Sequence, residues 1–154
     1  MTDTPKSHGR ISISASAKPR ELIKDRPELY GAWAVKIITL FPDSFPGVLS
    51  ESLTGKALQD GLWRLDAIDL RTFGDTKHRN VDDTPTGGGA GMVLRADVVD
   101  KALKMAANGT PRDRAKWPVV YMSPRGAPLT QAMAERFAKA DGMTILCGRF
   151  EGVD

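Results

Sequence analysis

Short apolar runs separated by polar, glycine-containing stretches organise this chain from residue 34 onward. Residues 34–40, Ala-Val-Lys-Ile-Ile-Thr-Leu, form a β-branched run halted by Phe41-Pro42 and predict a first strand. Asp43 and Ser44 are placed to cap a short helical segment, and residues 53–59 predict another that Gly61 ends. Residues 63–70 alternate, with Trp63, Leu65, Ala67 and Ile68 supplying an apolar side, and predict a second strand. Val98, Val99, Ala102, Leu103 and Ala106 recur at helical spacing; Asp97 or Asp100 suits the positive N-terminal end, and Asn108-Gly109 stops the helix. Residues 118–122 predict a short buried strand. Residues 129–140 predict a helix with Leu129, Met133, Phe137 and Ala140 facing inward, and residues 143–147 a last strand. Strands alternating with helices predict an α/β fold, a parallel sheet with flanking helices and right-handed crossovers.

Two stretches break this pattern. Residues 1–31 are rich in Ser, Pro and charge, lack periodicity, and read as a disordered leader or an appended tail, leaving 32–154 as the folded part. Residues 71–91 form a long polar and glycine-rich connection, of the kind that is functional or disordered in compact domains.

Composition narrows the classes. With 154 residues, 41% hydrophobic and 27% charged, the chain fits one domain with a real core. No run approaches the roughly 20 apolar residues of a membrane span, and no secretory h-region is present. The single cysteine, Cys147, cannot make an internal disulfide, so a reducing, cytoplasmic setting is expected. The net charge of +3 is weaker support for RNA binding than its size suggests, because residues 1–30 hold six basic and four acidic side chains. The rest carries sixteen basic against fifteen acidic, clustered as Arg71, Lys77, His78 and Arg79 in one loop and Arg112, Arg114 and Lys116 in another.

The candidate chemistry sits where a parallel sheet exposes ligands, outside the carboxyl ends of strands. Ser123-Pro-Arg-Gly126 follows one predicted strand and Gly148-Arg-Phe-Glu-Gly152 another. Glycine there admits positive φ and lets main-chain groups approach a ligand. Such loops suit a purine-containing cofactor read by main-chain hydrogen bonds and covered by Met122 and Phe150. Ordinary turn chemistry is the plain alternative. The familiar fingerprints fail. Gly148-Arg-Phe-Glu-Gly152 is not G-x-G-x-x-G, and Thr54-Gly55-Lys56-Ala57 lacks the hydroxyl residue a P-loop needs for magnesium. His8, His78 and one cysteine make no convincing zinc site, so no metal is expected. Cys147 ends an apolar strand and reads as a structural thiol.

Taken in order, the motifs resemble the bacterial tRNA (guanine-N1)-methyltransferases of the knotted SPOUT superfamily, from about Trp33 to Asp154. The resemblance rests on Leu40-Phe41-Pro42 with Phe45, Thr54-Gly55 with Gly61-Leu62, Arg71 with Phe73, and His78-Arg79 with Val81-Asp82-Asp83. Gly87-Gly88-Gly89-Ala90-Gly91-Met92, Ser123-Pro124 with Gly126, and residues 147–154 complete it.

It implies a SPOUT-like fold binding S-adenosylmethionine in loops of a trefoil knot, within a homodimer whose sites lie between subunits. Tyr121, Met122, Ser123, Pro124 and Gly126 would form one side of the cofactor pocket, and Gly148, Phe150 and Gly152 another. His78, Arg79, Asp82, Asp83, Gly87, Gly88, Gly89 and Gly91 would face tRNA, near the guanine that follows the anticodon. The family's third cofactor loop and catalytic aspartate lie further along, so the resemblance implies that the knot-forming C-terminal part and the general base fall beyond Asp154 and that this chain alone is inactive. Guanine N1 carries a proton in its neutral form, so methyl transfer requires a base. Arg149 and Glu151 are expected in supporting roles, Arg149 offsetting charge on guanine O6 and Glu151 accepting hydrogen bonds. A local Arg149–Glu151 ion pair is the plain alternative. At the level of the whole chain, the competing reading is a non-catalytic RNA-binding α/β module.

Overall fold

The apolar runs become parallel strands: β1 (Trp33–Thr39), β2 (Trp63–Asp69), β5 (Val119–Met122) and β6 (Gly142–Cys147). They form a four-stranded sheet in the order β2-β1-β6-β5. This computed structural model describes residues 31–75 and 77–154, so the reading of residues 1–30 as a leader lies outside what is described. The crossovers carry α1 (Ser52–Gln59), α2 (Ala96–Ala106) and α3 (Gln131–Ala138), and two-residue strands β3 (Asp82–Asp83) and β4 (Val93–Leu94) pair antiparallel apart from the main sheet.

Because side chains alternate across a strand, each strand feeds two cores. On one face Ile38, Leu40, Ile68, Leu70 and Leu146 pack with Val98, Val99, Ala102 and Ala106 of α2. On the other, Val35, Ile37, Leu65 and Met143 gather Trp33, Phe45, Trp63, Ala67, Val120 and Phe137. Ile68 therefore lies opposite Leu65 and Ala67 rather than beside them, as strict period-2 alternation requires.

Local chemistry explains the boundaries. Thr130 caps α3 by accepting a hydrogen bond from Met133 N at 3.2 Å, which starts the helix after Leu129 and leaves Leu129 72% exposed instead of on the inward stripe. Met133 and Phe137 are half-buried, and Ala140, past the helix end, is buried. Asp43 and Ser44 sit inside a three-residue 3-10 turn, Pro42–Ser44, whose N-cap position is held by Phe41, so neither occupies the capping position. Leu70 opens another such turn, Leu70–Phe73, as Asp69 accepts from Arg71 N at 2.9 Å and pulls the chain out of β2. Gly61, at φ +74°, ends α1 as expected. The predicted burial of β5 fails for a topological reason. It is an edge strand, with Val119, Tyr121 and Met122 all exposed.

Away from the carboxyl ends of the strands, a pocket of about 280 Å³ is lined by Lys36, Arg64, Asp66, Asn108 and Trp117 among others. Lys36 Nζ donates to the Ala106 and Asn108 carbonyls, both at 2.8 Å, so a strand lysine satisfies the last carbonyl of α2 and one in the turn that follows it. Trp117 Nε1 donates to the buried Thr144 Oγ1 at 2.9 Å. No helix among the described residues is long and apolar enough to cross a membrane.

Candidate functional site

Register brings the two strand-end turns together. Tyr121 pairs with Leu146 and Met122 with Cys147, so the chain leaves β5 and β6 at the same height on adjacent strands. Between the turns lies an open cleft of about 460 Å³ lined by Tyr121 to Arg125 and Gly148 to Gly152. That size falls within the about 300–1,000 Å³ typical of small-molecule sites.

Two glycines make this geometry possible. A Cβ on Gly148 would stand 2.8 Å from Tyr121 Cε2 and 3.3 Å from the Met122 carbonyl oxygen, so any side chain there collides with the opposite wall. Gly152 has φ +127°, where L-residues are strained, and its Cβ would meet Tyr121 Oη at 3.3 Å. Gly126 does not line the cleft; its N–H donates to the Ser123 carbonyl at 3.0 Å and closes the turn that presents Ser123 and Pro124. Arg125 N donates to Ser123 Oγ at 3.2 Å. Phe150 occupies the left-handed region at φ +59° with its ring 45% exposed beside the cleft.

The glycine-rich loop joins the same unit. Glu151 N donates to the Met92 carbonyl at 3.0 Å, Leu94 N to the Gly152 carbonyl at 2.7 Å, and Asp154 N to the Leu94 carbonyl at 3.0 Å. Asp154 accepts from Thr86 N at 3.0 Å and from the Thr86 hydroxyl. These bonds hold its carboxyl below the usual carboxylate range. Gly87, Gly88, Gly89 and Gly91 all have positive φ and are exposed. A Cβ on Gly91 would come within 2.8 Å of Glu151 Cγ, so the loop lies directly against the cleft turn. His78, Arg79 and Asp83 are exposed and Asp82 is half-buried; Asp82 and Asp83 pair with Leu94 and Val93 in the short antiparallel ladder. Arg79 sits at φ +52°.

Among the described residues neither Arg149 nor Glu151 stands in an ion pair, so the local pairing of the two does not form. Arg149 instead places its guanidinium 5.8 Å from the centroid of Phe41, and Arg71 places its own 5.9 Å from the same ring. Sequence reasoning placed Phe41 at a strand end and Arg71 in a basic loop and counted both among the motif residues of the resemblance, but gave neither a site role; their position just past β1 and β2 was the available signal. Thr86 and Asp154 were also missed as a pair, because they lie far apart along the chain. Cys147 is half-buried, and burial pushes its thiol up, as suits a structural residue.

Comparison with known proteins follows this geometry. A family model described as tRNA (Guanine-1)-methyltransferase TrmD matches residues 33–154. The tRNA (guanine-N(1)-)-methyltransferase of Jannaschia sp. (strain CCS1) is 67% identical over 130 residues, which cover 84% of this chain and 53% of that protein. The protein of the same name from Rhizobium etli is 51% identical over 123 residues, 80% of this chain and 51% of that one. The chain thus spans about half the length of the curated relatives it matches. Among solved structures, the crystal structure of tRNA (m1G37) methyltransferase from Aquifex aeolicus aligns with a TM-score of 0.68 at 30% identity, over 80% of this chain and 54% of that one.

Proposed function

Because this chain belongs to the tRNA (guanine-1)-methyltransferase family, we propose that it supplies the S-adenosylmethionine-binding part of an enzyme that methylates N1 of the guanine following the anticodon in tRNA. The observation that carries this reading is the cleft between two glycine-opened turns on adjacent strands. The residues present fit the cofactor: a Cβ at Gly148 or Gly152 would narrow the cleft, while Met122 and Phe150 offer apolar cover and main-chain groups are exposed between them. Tyr121, Met122, Ser123 and Pro124 form one wall, Gly148, Phe150 and Gly152 the other, and Gly126 sets the turn.

When bound, the cofactor brings a methyl group activated by a sulfonium centre; the chain's part is alignment and electrostatics. Arg149, free of an acidic partner among the described residues, offsets negative charge that develops on the guanine O6 as N1 loses its proton. Glu151 accepts hydrogen bonds from the guanine or the cofactor. The proton itself is assigned to no residue of this chain. The loop carrying Gly87 to Gly91, with His78, Arg79, Asp82 and Asp83, faces the tRNA. The family reading further gives a trefoil knot, a homodimer and a cytoplasmic location.

Calorimetric titration of the folded chain with S-adenosylmethionine, joined to a methyl-transfer assay on tRNA transcripts with and without the target guanine, tests the proposal. Binding of the cofactor, and transfer only to the guanine-containing transcript when the chain is joined to the second half of a relative, are expected. A folded chain with no affinity for the cofactor would refute the reading.

A further inference from the structure

The strand-end row continues past the cleft. Phe41, Arg71 and Arg149 each stand two positions beyond the last residue of their strands, Thr39 of β1, Asp69 of β2 and Cys147 of β6. Thr39 pairs with Asp69 and Ile38 with Leu146, so these positions are in step across three neighbouring strands. Parallel register thus explains why two guanidinium groups converge on one ring, at 5.9 Å for Arg71 and 5.8 Å for Arg149.

Two like charges do not gather without cause. Attraction between each cation and the face of the ring holds both guanidinium groups at Phe41. Arg71 is further fixed by a hydrogen bond from its guanidinium to the Leu40 carbonyl. Neither cation has an ion-pair partner among the described residues, whereas Lys56, Arg95, Lys101 and Lys104 do. Phe41 remains 52% exposed. Two guanidinium groups left uncompensated and ordered by one aromatic ring present planar, forked donors suited to a phosphate group.

The geometry points to a phosphodiester subsite formed by Arg71 and one edge of the Arg149 guanidinium, at the rim of the cleft that Arg149 lines, that holds the RNA backbone next to the reacting nucleotide; Phe41 is the positioning residue that orders both groups, and the five N–H donors of Arg149 leave another edge for the guanine O6. The subsite rests on the tRNA reading above and extends it to Phe41 and Arg71, which lie outside the cofactor cleft that Arg149 lines.

The test is fluorescence anisotropy with a labelled tRNA anticodon stem-loop over a series of KCl concentrations, with cofactor affinity and melting temperature measured in parallel. Arg71→Gln is expected to weaken RNA binding roughly 5- to 30-fold and to reduce the slope of log K against log salt by about 0.7–0.9, the loss of one phosphate contact. Phe41→Leu keeps both charges, so it should weaken binding several-fold with the slope retained, and Phe41→Tyr should restore it. If Arg71→Gln disturbs cofactor affinity or melting, Phe41→Leu against Phe41→Tyr decides. Unchanged RNA affinity and slope in a folded Arg71→Gln protein, or equal behaviour of Phe41→Leu and Phe41→Tyr, overturns the subsite while leaving the tRNA reading intact. A wild-type protein with no salt-dependent RNA affinity overturns both. Competition by inorganic phosphate as strong as by RNA would mark a simple anion site and also overturn it.

Discussion

Replacing Gly148 by alanine tests the cleft most directly, because the collision it creates can be read from the backbone. The new Cβ would stand 2.8 Å from Tyr121 Cε2, 3.1 Å from Tyr121 Oη and 3.3 Å from the Met122 carbonyl oxygen. Real Cβ contacts are longer, so something must shift. The carbonyl belongs to β5, which is bonded to β6 and resists movement. The ring is the mobile partner: Tyr121 is 39% exposed, and the open space beside it is the cleft. Overpacking of this kind costs about 1–3 kcal/mol. If the ring swings into the cleft, that cost appears in the ligand's affinity, roughly 5- to 150-fold. Gly148→Val adds a branched side chain and should abolish measurable binding. Tyr121→Ala removes the ring that is struck, so Gly148→Ala in that background should lose less than the single changes add up to, a coupling that a double-mutant cycle measures. The assay is calorimetric titration with S-adenosylmethionine, with thermal melts to separate folding from binding. Unchanged affinity in a folded Gly148→Val protein would defeat the reasoning outright, and strict additivity with Tyr121→Ala would show that the ring is not the wall that moves.

Other perturbations separate the two ends of the sheet. Lys36→Met removes the donor to the Ala106 and Asn108 carbonyls and should cost about 1–3 kcal/mol in a denaturant melt. Its effect on cofactor affinity should be nil, and a large one would mean the amino edge is not merely structural. Asp154→Ala should speed hydrogen exchange at the Thr86 amide. In the unaltered protein the same amide should stay protected at neutral pH, because a carboxyl held below its usual range lends stability that is present above about 3.9 and vanishes only as pH falls through the lowered value. Protection that persists at still lower pH, with the fold intact, would show that the carboxylate is not the restraint. Cys147, its thiol pushed up by burial, should react with iodoacetamide more slowly than a free thiol of pKa about 8.5 at neutral pH. Faster alkylation would argue for an activated nucleophile.

The sequence made the interior strands legible because burial on both faces leaves continuous apolar runs, as in residues 34–40 and 143–147. The same logic misjudged β5, since Val-Val-Tyr-Met reads alike whether a neighbour covers it or it forms an edge. Leu129 was assigned inward by spacing alone, while the Thr130 cap, immediately before Gln131, decided where the helix begins. For the site, glycine and Ser-Pro turns after apolar runs located the cleft, because such turns mark strand ends in any parallel sheet. What eluded the sequence was register. That Phe41 meets both Arg71 and Arg149, or that Thr86 meets Asp154, depends on how strands align after long crossovers, and no local pattern records it.

Register also explains why the cleft and the glycine-rich loop form a single unit. The turn after β6 does not end in solvent: Glu151, Gly152 and Asp154 bond successively to Met92 and Leu94, and Asp154 reaches back to Thr86 at the start of the glycine run. A ligand that orders the turn therefore orders the anchors of the loop, and the remaining cost of fixing Gly87 to Gly89, whose added Cβ atoms would meet little or nothing, falls on whatever the loop grips. Coupling of this sort is reciprocal by linkage, so a partner that settles the loop strengthens the turn's hold on its own ligand by the same factor.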